Sequence, residues 1–220
     1  MVKMLTLLRK ELRLELRSRE TLVGVVMYMV STVYVCYLNF KELDAVATWN
    51  ALLWIIVLFT AFQAMARTFR HEPPRVQLYL YTLVSPEQLI LAKLVFNALF
   101  MGVLSLLALG CLVLFLGDAV LAAANMGAFV TGLVVGAMAL GAGLTLISGI
   151  AVKTGNNVGL TAVLAFPVLI PVLLVLRDIT FSALQGQAFA EIVGKLGLLG
   201  GITVLILGLS YLLFPYLWRE

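Results

Sequence analysis

Few side chains in this 220-residue sequence could carry out chemistry, and they lie outside its long apolar stretches. The single histidine, His71, stands between Arg70 and Glu72 in a polar segment. One histidine does not supply a zinc site, a Ser-His arrangement or a two-histidine haem site within one chain. The two cysteines, Cys36 and Cys111, fall in apolar stretches, where a thiol acts as a small apolar side chain. We therefore predict no catalytic, cofactor-binding or metal-binding residue, and we do not expect the chain to be an enzyme.

The source of energy for any work by this protein must lie elsewhere. Ionisable residues inside membrane spans mark ion and proton pathways, and the apolar stretches contain no Asp, Glu, Lys or Arg. The sequence also lacks a GxxxxGK[ST] phosphate-binding loop and has no room for a nucleotide-binding domain. A separate cytoplasmic ATPase is the economical partner, and no feature points to nucleic acid.

Two polar regions are large enough to receive such an ATPase, namely the N-terminal helix and the segment 67–93. The N-terminal helix offers a row of arginines, and the segment offers charges and a helix start. The predicted ATPase-coupling interface consists of Arg9, Arg13, Arg17, Arg67, Arg70, Glu72, Pro86, Glu87 and Lys93.

The composition requires lipid as the solvent for most of the chain. Of the residues, 63% are hydrophobic and 12% are charged, whereas a soluble domain has about 25% charged residues. A membrane-spanning helix needs about 20 apolar residues. Six runs satisfy this length, at 21–40, 45–66, 94–117, 119–152, 154–176 and 196–218. The fourth run is too long for one span, so we predict an outer loop to about Asn125 and a helix after it. The predicted fold is an all-α membrane protein with six transmembrane helices in a single permease domain, 1–220.

The orientation follows from the positions of lysine and arginine, because cationic short loops stay in the cytoplasm. Twelve of the fifteen Lys and Arg residues fall in the two terminal segments and in the second and fourth loops. The alternate loops carry only Lys41, Arg177 and Lys195. Both termini are therefore predicted to be cytoplasmic.

The residues before the first span predict an amphipathic helix over 1–20. Leu5, Leu8, Leu12 and Leu16 share one helical face, and the arginines lie on another. This pattern is typical of a helix that lies flat on the membrane surface. The alternative is a topology signal with no further role.

The second loop is the only one with room for its own structure. Pro73 and Pro74 cannot continue a helix. Ser85-Pro86-Glu87 has the pattern of an N-cap, a proline at the first helical position and an acidic first turn. We predict a helix that begins there and runs through Lys93 into the third span. A docking surface and a solvated connector are both open interpretations of this loop.

Three further patterns predict local structure in the second half of the chain. Gly132 and Gly136 have the GxxxG spacing that lets helices approach closely, either for ordinary packing or for a dimer interface. Pro167 and Pro171 each remove a backbone hydrogen bond and predict a kinked or broken fifth span. Apolar residues at helical spacing in 177–195 predict a short amphipathic helix at the outer surface.

The sequence resembles the CcmB family, haem exporter protein B, the membrane subunit of the ABC complex for cytochrome c maturation. The resemblance covers almost the whole chain. It rests on Leu-Arg-Lys-Glu-Leu-Arg at 8–13, Arg-Thr-Phe-Arg-His-Glu at 67–72, Ser85-Pro86, Leu-Ala-Lys at 91–93, Phe166-Pro167 and Ile170-Pro171. The resemblance implies an ABC-2-like exporter permease in a bacterial inner membrane. In such permeases a cytoplasmic segment between the second and third spans couples to the ATPase.

The same resemblance implies the partners and the cargo. It implies two copies of this chain with two ATPase subunits, together with a haem-handling membrane protein and a haem chaperone. Haem is then a transported or partner-held ligand, and the cytoplasmic His71 is not expected to ligate it. One departure from the family pattern is Pro73-Pro74-Arg75-Val76, in place of an acidic, glycine-containing turn followed by Leu-Glu.

Other functions remain open. The same fold could serve as an ABC-type permease for another amphiphile, such as a lipid, a drug or a polysaccharide. The chain could also be a non-transporting scaffold, in which ATP-driven motion releases a loaded chaperone. A cavity wide enough for a porphyrin favours transport, whereas tightly packed spans favour the scaffold.

Overall fold

The computed structural model describes residues 2–17, 19–40, 45–65, 85–153 and 158–219. Within these ranges the chain forms seven α-helices and one short 3-10 helix, and no strand. The α-helices are α1 (Val2–Arg17), α2 (Arg19–Asn39), α3 (Val46–Met65), α4 (Pro86–Leu116), α5 (Met126–Lys153), α6 (Val158–Leu184) and α7 (Phe189–Arg219). The 3-10 helix is Ala119–Leu121.

Helices α2 to α7 are each long and apolar enough to cross a membrane. This agrees with the six spans predicted from the sequence. The fourth span begins at Met126 after the 3-10 helix, as expected from the excess length of its apolar run. The chain is therefore a multi-pass helical membrane protein.

Helix α5 is the centre of the bundle. Most of its membrane-spanning part is buried, whereas α2 and α7 are mostly exposed and lie at the periphery. Its glycines explain the close approach of its neighbours. A Cβ at Gly136 would overlap the side chain of Leu176, and one at Gly132 would come within 2.5 Å of Ile179 Cγ2. On another face, Gly141 faces the backbone oxygen of Asn97 in α4. The GxxxG pair thus lies at the contact between α5 and α6 of one chain, not at an open face of the kind that a dimer interface needs.

Helix α6 is continuous through Pro167 and Pro171. The span is therefore not broken, and the kink that the sequence also allows stays a prediction. Both prolines are exposed, and the helix continues past them although neither has an N–H to donate within the helix.

The outer segment 177–195 is not a separate amphipathic helix, and this expectation was wrong. Residues 177–184 form the last turns of α6, and α7 begins at Phe189. Gly186 has φ +77°, and Gln187 N donates to Ser182 O at 3.2 Å while Gly186 N donates to Ala183 O at 3.1 Å. This pair of bonds is a Schellman motif, which ends a helix at a left-handed residue that glycine adopts without strain.

The turn after α6 is also fixed by the start of α5. Asn125 Nδ2 donates to Gln187 O at 3.2 Å, and Asn125 N donates to Ala183 O at 2.9 Å. The apolar residues of the segment belong to two helices that both enter the core, since Leu184 and Ile192 are fully buried.

Candidate functional site

The predicted arginine row lies on an exposed face of α1. Arg9, Arg13 and Arg17 are spaced four residues apart, so they share one helical face. All three are exposed. Arginine presents a rigid fork of donors that suits carboxylates on a partner surface. Docking of an acidic protein surface on this face stays a prediction.

The opposite side of α1 packs against the beginning of α4. Leu7 is buried with Leu89 and Ala92, and Met4 packs beside them. These four residues form a small apolar cluster of their own, apart from the main core of the bundle. The cluster fixes α1 against the residues that lead into the third span.

A third face of α1 is apolar and exposed. Leu5 and Leu12 are about half exposed, at 54% and 49%. Exposed leucines beside exposed arginines suit a helix at the boundary between lipid and water. The location of α1 at the membrane surface stays a prediction.

Lys93 is not part of an exposed interface, contrary to its predicted role as a residue that contacts an ATPase. It is 1% exposed and lies between α1 and α4. Its Nζ lies 3.3 Å from both Oε1 and Oε2 of Glu11. A buried ammonium needs a charged or hydrogen-bonding partner because desolvation is costly, and Glu11 on α1 provides it. Lys93 therefore joins two helices of this chain.

The rest of the predicted interface is described only in part. Ser85 has extended backbone angles and Pro86 stands at the first positions of α4, as predicted, but the Ser85 side chain makes no capping hydrogen bond. Glu87 follows in the first turn of the same helix. The other members, Arg67, Arg70 and Glu72, together with His71, lie outside the residues that the structure describes.

A polar network ties α3 to α6 within the bundle. Trp54 Nε1 donates to Thr180 Oγ1 at 2.8 Å, and Thr180 Oγ1 donates to Asn50 Oδ1 at 2.7 Å. Asn50 Nδ2 donates in turn to the backbone oxygen of Arg177 at 3.0 Å. All three side chains are buried. In lipid, such bonds hold helices together where the hydrophobic effect cannot.

A second polar contact ties α4 to α5. Asn97 Nδ2 donates to Thr145 Oγ1 at 2.9 Å, and Thr145 Oγ1 donates to Gly141 O at 2.6 Å. Asn97 lies one helical turn after Lys93 on the same face of α4. This face of α4 therefore carries a polar contact to α1 and another to the central helix.

Two cavities of ligand size open among the described residues. One, of about 520 Å³, lies between the C-terminal half of α4 and the start of α5, with Asp118 in its lining. The other, of about 380 Å³, is a wholly apolar cleft between α3 and α6, lined by Leu58, Phe59, Phe62, Ala165, Phe166, Leu169, Ile170 and Leu173. Small-molecule sites span about 300 to 1,000 Å³, so either cavity can hold part of an amphiphile.

No metal-binding site is visible in the part of the chain that the structure describes. There, no group of three or more His, Cys, Asp or Glu residues could hold a metal ion.

The sequence matches the family described as CcmB protein over residues 2–216, which is essentially the whole chain. The chain belongs to the CcmB family. Membership makes it a membrane subunit of a haem-exporting ABC system for cytochrome c maturation. A comparison with curated proteins finds no match.

The main residues that sequence reasoning missed are Glu11, Asn50 and Thr180. A signal existed for the first, because Lys93 stands among apolar residues and a buried cation needs an acidic partner. Asn50 and Thr180 are ordinary polar residues within apolar runs, and pairing them requires knowing that α3 and α6 are neighbours.

Proposed function

We propose that this chain is the permease subunit through which ATP hydrolysis by a separate cytoplasmic subunit drives haem handling in cytochrome c maturation. The observation that carries the proposal is the exposed arginine row on α1, held by a buried ion pair against the helix that enters the third span. The arginine row provides a docking surface, and the ion pair links α1 to the membrane-spanning helix α4. Two copies of the chain with two ATPase subunits, in a bacterial inner membrane with both termini cytoplasmic, complete the assembly.

The energy supply follows from the spans themselves. The apolar runs carry no Asp, Glu, Lys, Arg or His, and the charged residues of the candidate membrane spans lie outside those runs, namely Lys93, Arg177, Asp178, Glu191 and Lys195. A proton or ion gradient therefore has no charged group within the apolar runs on which to act. The chain also has no nucleotide site of its own. Force must therefore enter through a cytoplasmic surface, and the α1 face with the segment 67–93 is the surface of adequate size.

Two roles for the permease are supported by different observations. The two cavities favour passage or holding of an amphiphile such as haem, because one is wholly apolar and the other combines apolar walls with an acidic residue in its lining. The close packing of α5 against its neighbours at Gly132, Gly136 and Gly141 favours a scaffold that moves as a unit and releases a loaded haem chaperone. Both roles use the same ATPase contact.

Affinity purification from native membranes in a mild detergent tests the proposal. We expect a cytoplasmic ABC ATPase, a second copy of the chain and haem-handling membrane proteins to co-purify. A multi-pass membrane protein of similar abundance, tagged in the same way, is the control for non-specific recovery. Recovery of the tagged chain without any ATPase would contradict the proposal.

A further inference from the structure

We propose that Glu11 and Lys93 form a mechanical joint that makes α1 and the cytoplasmic end of α4 move together. The joint delivers force from the ATPase to the third span and onward to α5. This inference rests on the proposed function, since it concerns how that same surface acts. Glu11 and Lys93 are positioning residues, which act by holding one helix to the other.

The geometry of the pair supports a fixed joint. The Nζ of Lys93 lies 3.3 Å from each carboxylate oxygen of Glu11. Lys93 is 1% exposed, and the Glu11 side chain is 9% exposed. A second cation, Lys10, lies 3.3 Å from Glu11 Oε1 at the edge of the contact. The carboxylate is therefore held between two ammonium groups, the inner one fully buried.

The physical chemistry of a buried pair explains why the joint is sensitive to loss of either partner. Removing either member breaks a buried ion pair, which is destabilising. When Lys93 is lost, Lys10 still lies 3.3 Å from the Glu11 carboxylate. The apolar cluster with Leu7, Leu89 and Ala92 joins the same two helices.

Each of the two regions predicted to contact the ATPase, α1 and the segment 67–93, contains one member of the Glu11–Lys93 pair. Lys93 lies about 12 Å along α4 from Ser85, where α4 follows the segment 66–84. Glu11 lies midway along α1, on the side away from the arginine row. Displacement of either cytoplasmic surface therefore reaches the same pair of side chains.

From the joint, contacts continue into the bundle along one face of α4. Asn97, one turn beyond Lys93, is hydrogen-bonded to Thr145 of α5 at 2.9 Å. Gly141 of α5 lies against the backbone of the same turn of α4. A force applied to α1 can therefore pass through α4 to the central helix by contiguous polar and packing contacts.

The test uses single and paired substitutions in the full chain. Glu11→Gln and Lys93→Met each break the joint, and the exchanged pair Glu11→Lys with Lys93→Glu restores it with the charges reversed. Glu191→Gln, at an exposed carboxylate in the first turn of α7, is the matched control. The first measurement is hydrogen exchange of the α1 amides in the chain alone, in nanodiscs. The second is the yield of mature c-type cytochrome in cells, with the amount of co-purified ATPase measured beside it.

We expect the single variants to insert normally and to exchange the α1 amides about tenfold faster or more. Their ATPase recovery should stay within about twofold of the wild type, because the arginine row is intact, while cytochrome yield falls about tenfold. The exchanged pair should recover both protection and yield, whereas Glu191→Gln should match the wild type in every measurement.

Three outcomes would overturn the joint. Single variants with wild-type protection of the α1 amides and wild-type cytochrome yield would show that the pair neither holds α1 nor transmits force. An exchanged pair as defective as the singles, at normal protein level, would show that the pairing itself is not what matters. Restored protection without restored yield would show a purely structural contact. Failure of the proposed function is distinguishable, because then even the wild-type chain recovers no ATPase.

Discussion

Replacing Thr180 with valine should weaken the contact between α3 and α6 without leaving a cavity. The two side chains have nearly the same shape, so the change removes one hydroxyl at the centre of the buried network. Trp54 Nε1 then loses its acceptor at 2.8 Å, and Asn50 Oδ1 loses its donor at 2.7 Å. The bond from Asn50 Nδ2 to the backbone oxygen of Arg177 remains.

The expected cost follows from the number of interhelical bonds lost. Side-chain hydrogen bonds between membrane helices contribute on average ~0.6 kcal/mol each, and at most ~1.7 kcal/mol. Two are lost here, and both former partners are buried. We therefore expect the free energy of unfolding to fall by about 1 to 3 kcal/mol.

Reversible unfolding by SDS in mixed micelles measures this difference. Thr203→Val is the matched control, because the Thr203 hydroxyl bonds within its own helix, to Leu199 O at 2.8 Å. The control should change the free energy of unfolding by less than about 0.5 kcal/mol. Equal effects of the two substitutions, or no effect of Thr180→Val, would refute the view that the network holds α3 to α6.

Three further predictions concern packing, docking and topology. Gly136→Leu should abolish folding because the new side chain would overlap Leu176. Gly197→Leu, the control, places its side chain in open space and should leave the thermal midpoint unchanged. The yield of detergent-solubilised protein and its melting curve measure the two effects. Arg13→Glu should reduce recovery of the ATPase by about tenfold or more, because a charge-assisted hydrogen bond contributes ~1.5 to 3 kcal/mol. Arg177→Glu, the control, should leave ATPase recovery unchanged. Quantitative co-purification measures both recoveries. A cysteine at Asp118, in a chain without native cysteines, should react with an impermeant reagent added outside, and labelling only from the cytoplasm would contradict the topology.

The number and approximate positions of the spans could be predicted because composition determines them, whereas the end of α6 at Leu184 and the start of α7 at Phe189 could not. An apolar run of about 20 residues leaves the backbone no arrangement in lipid other than a helix. The start of α4 was predicted as well, because a proline fits the first helical position, although the Ser85 side chain does not cap the helix. These are local signals, and neighbours do not change them.

The role of Lys93 could not be predicted from its own surroundings. Counted as a cytoplasmic cation, it looked like an exposed interface residue. Its burial depends on α1 folding back onto α4, and Glu11 is 82 positions away in the sequence. The same limit applies to Asn50 and Thr180, which are 130 positions apart.

The outer segment shows a different kind of error. Helical spacing of apolar residues is the same whether they form one short helix or the ends of two long ones. Gly186 ends α6 because it adopts a left-handed conformation. The prediction considered only the apolar spacing and did not treat this glycine as the end of a helix.

The amount of covalently bound haem in c-type cytochromes tests the central claim most directly. Cells that lack this chain, and cells that carry it with an ATPase partner unable to hydrolyse ATP, should both lose c-type cytochromes while b-type cytochromes persist. Wild-type chain with an active ATPase should restore them. Normal covalent haem in cells without the chain, or full restoration without ATP hydrolysis, would contradict the account.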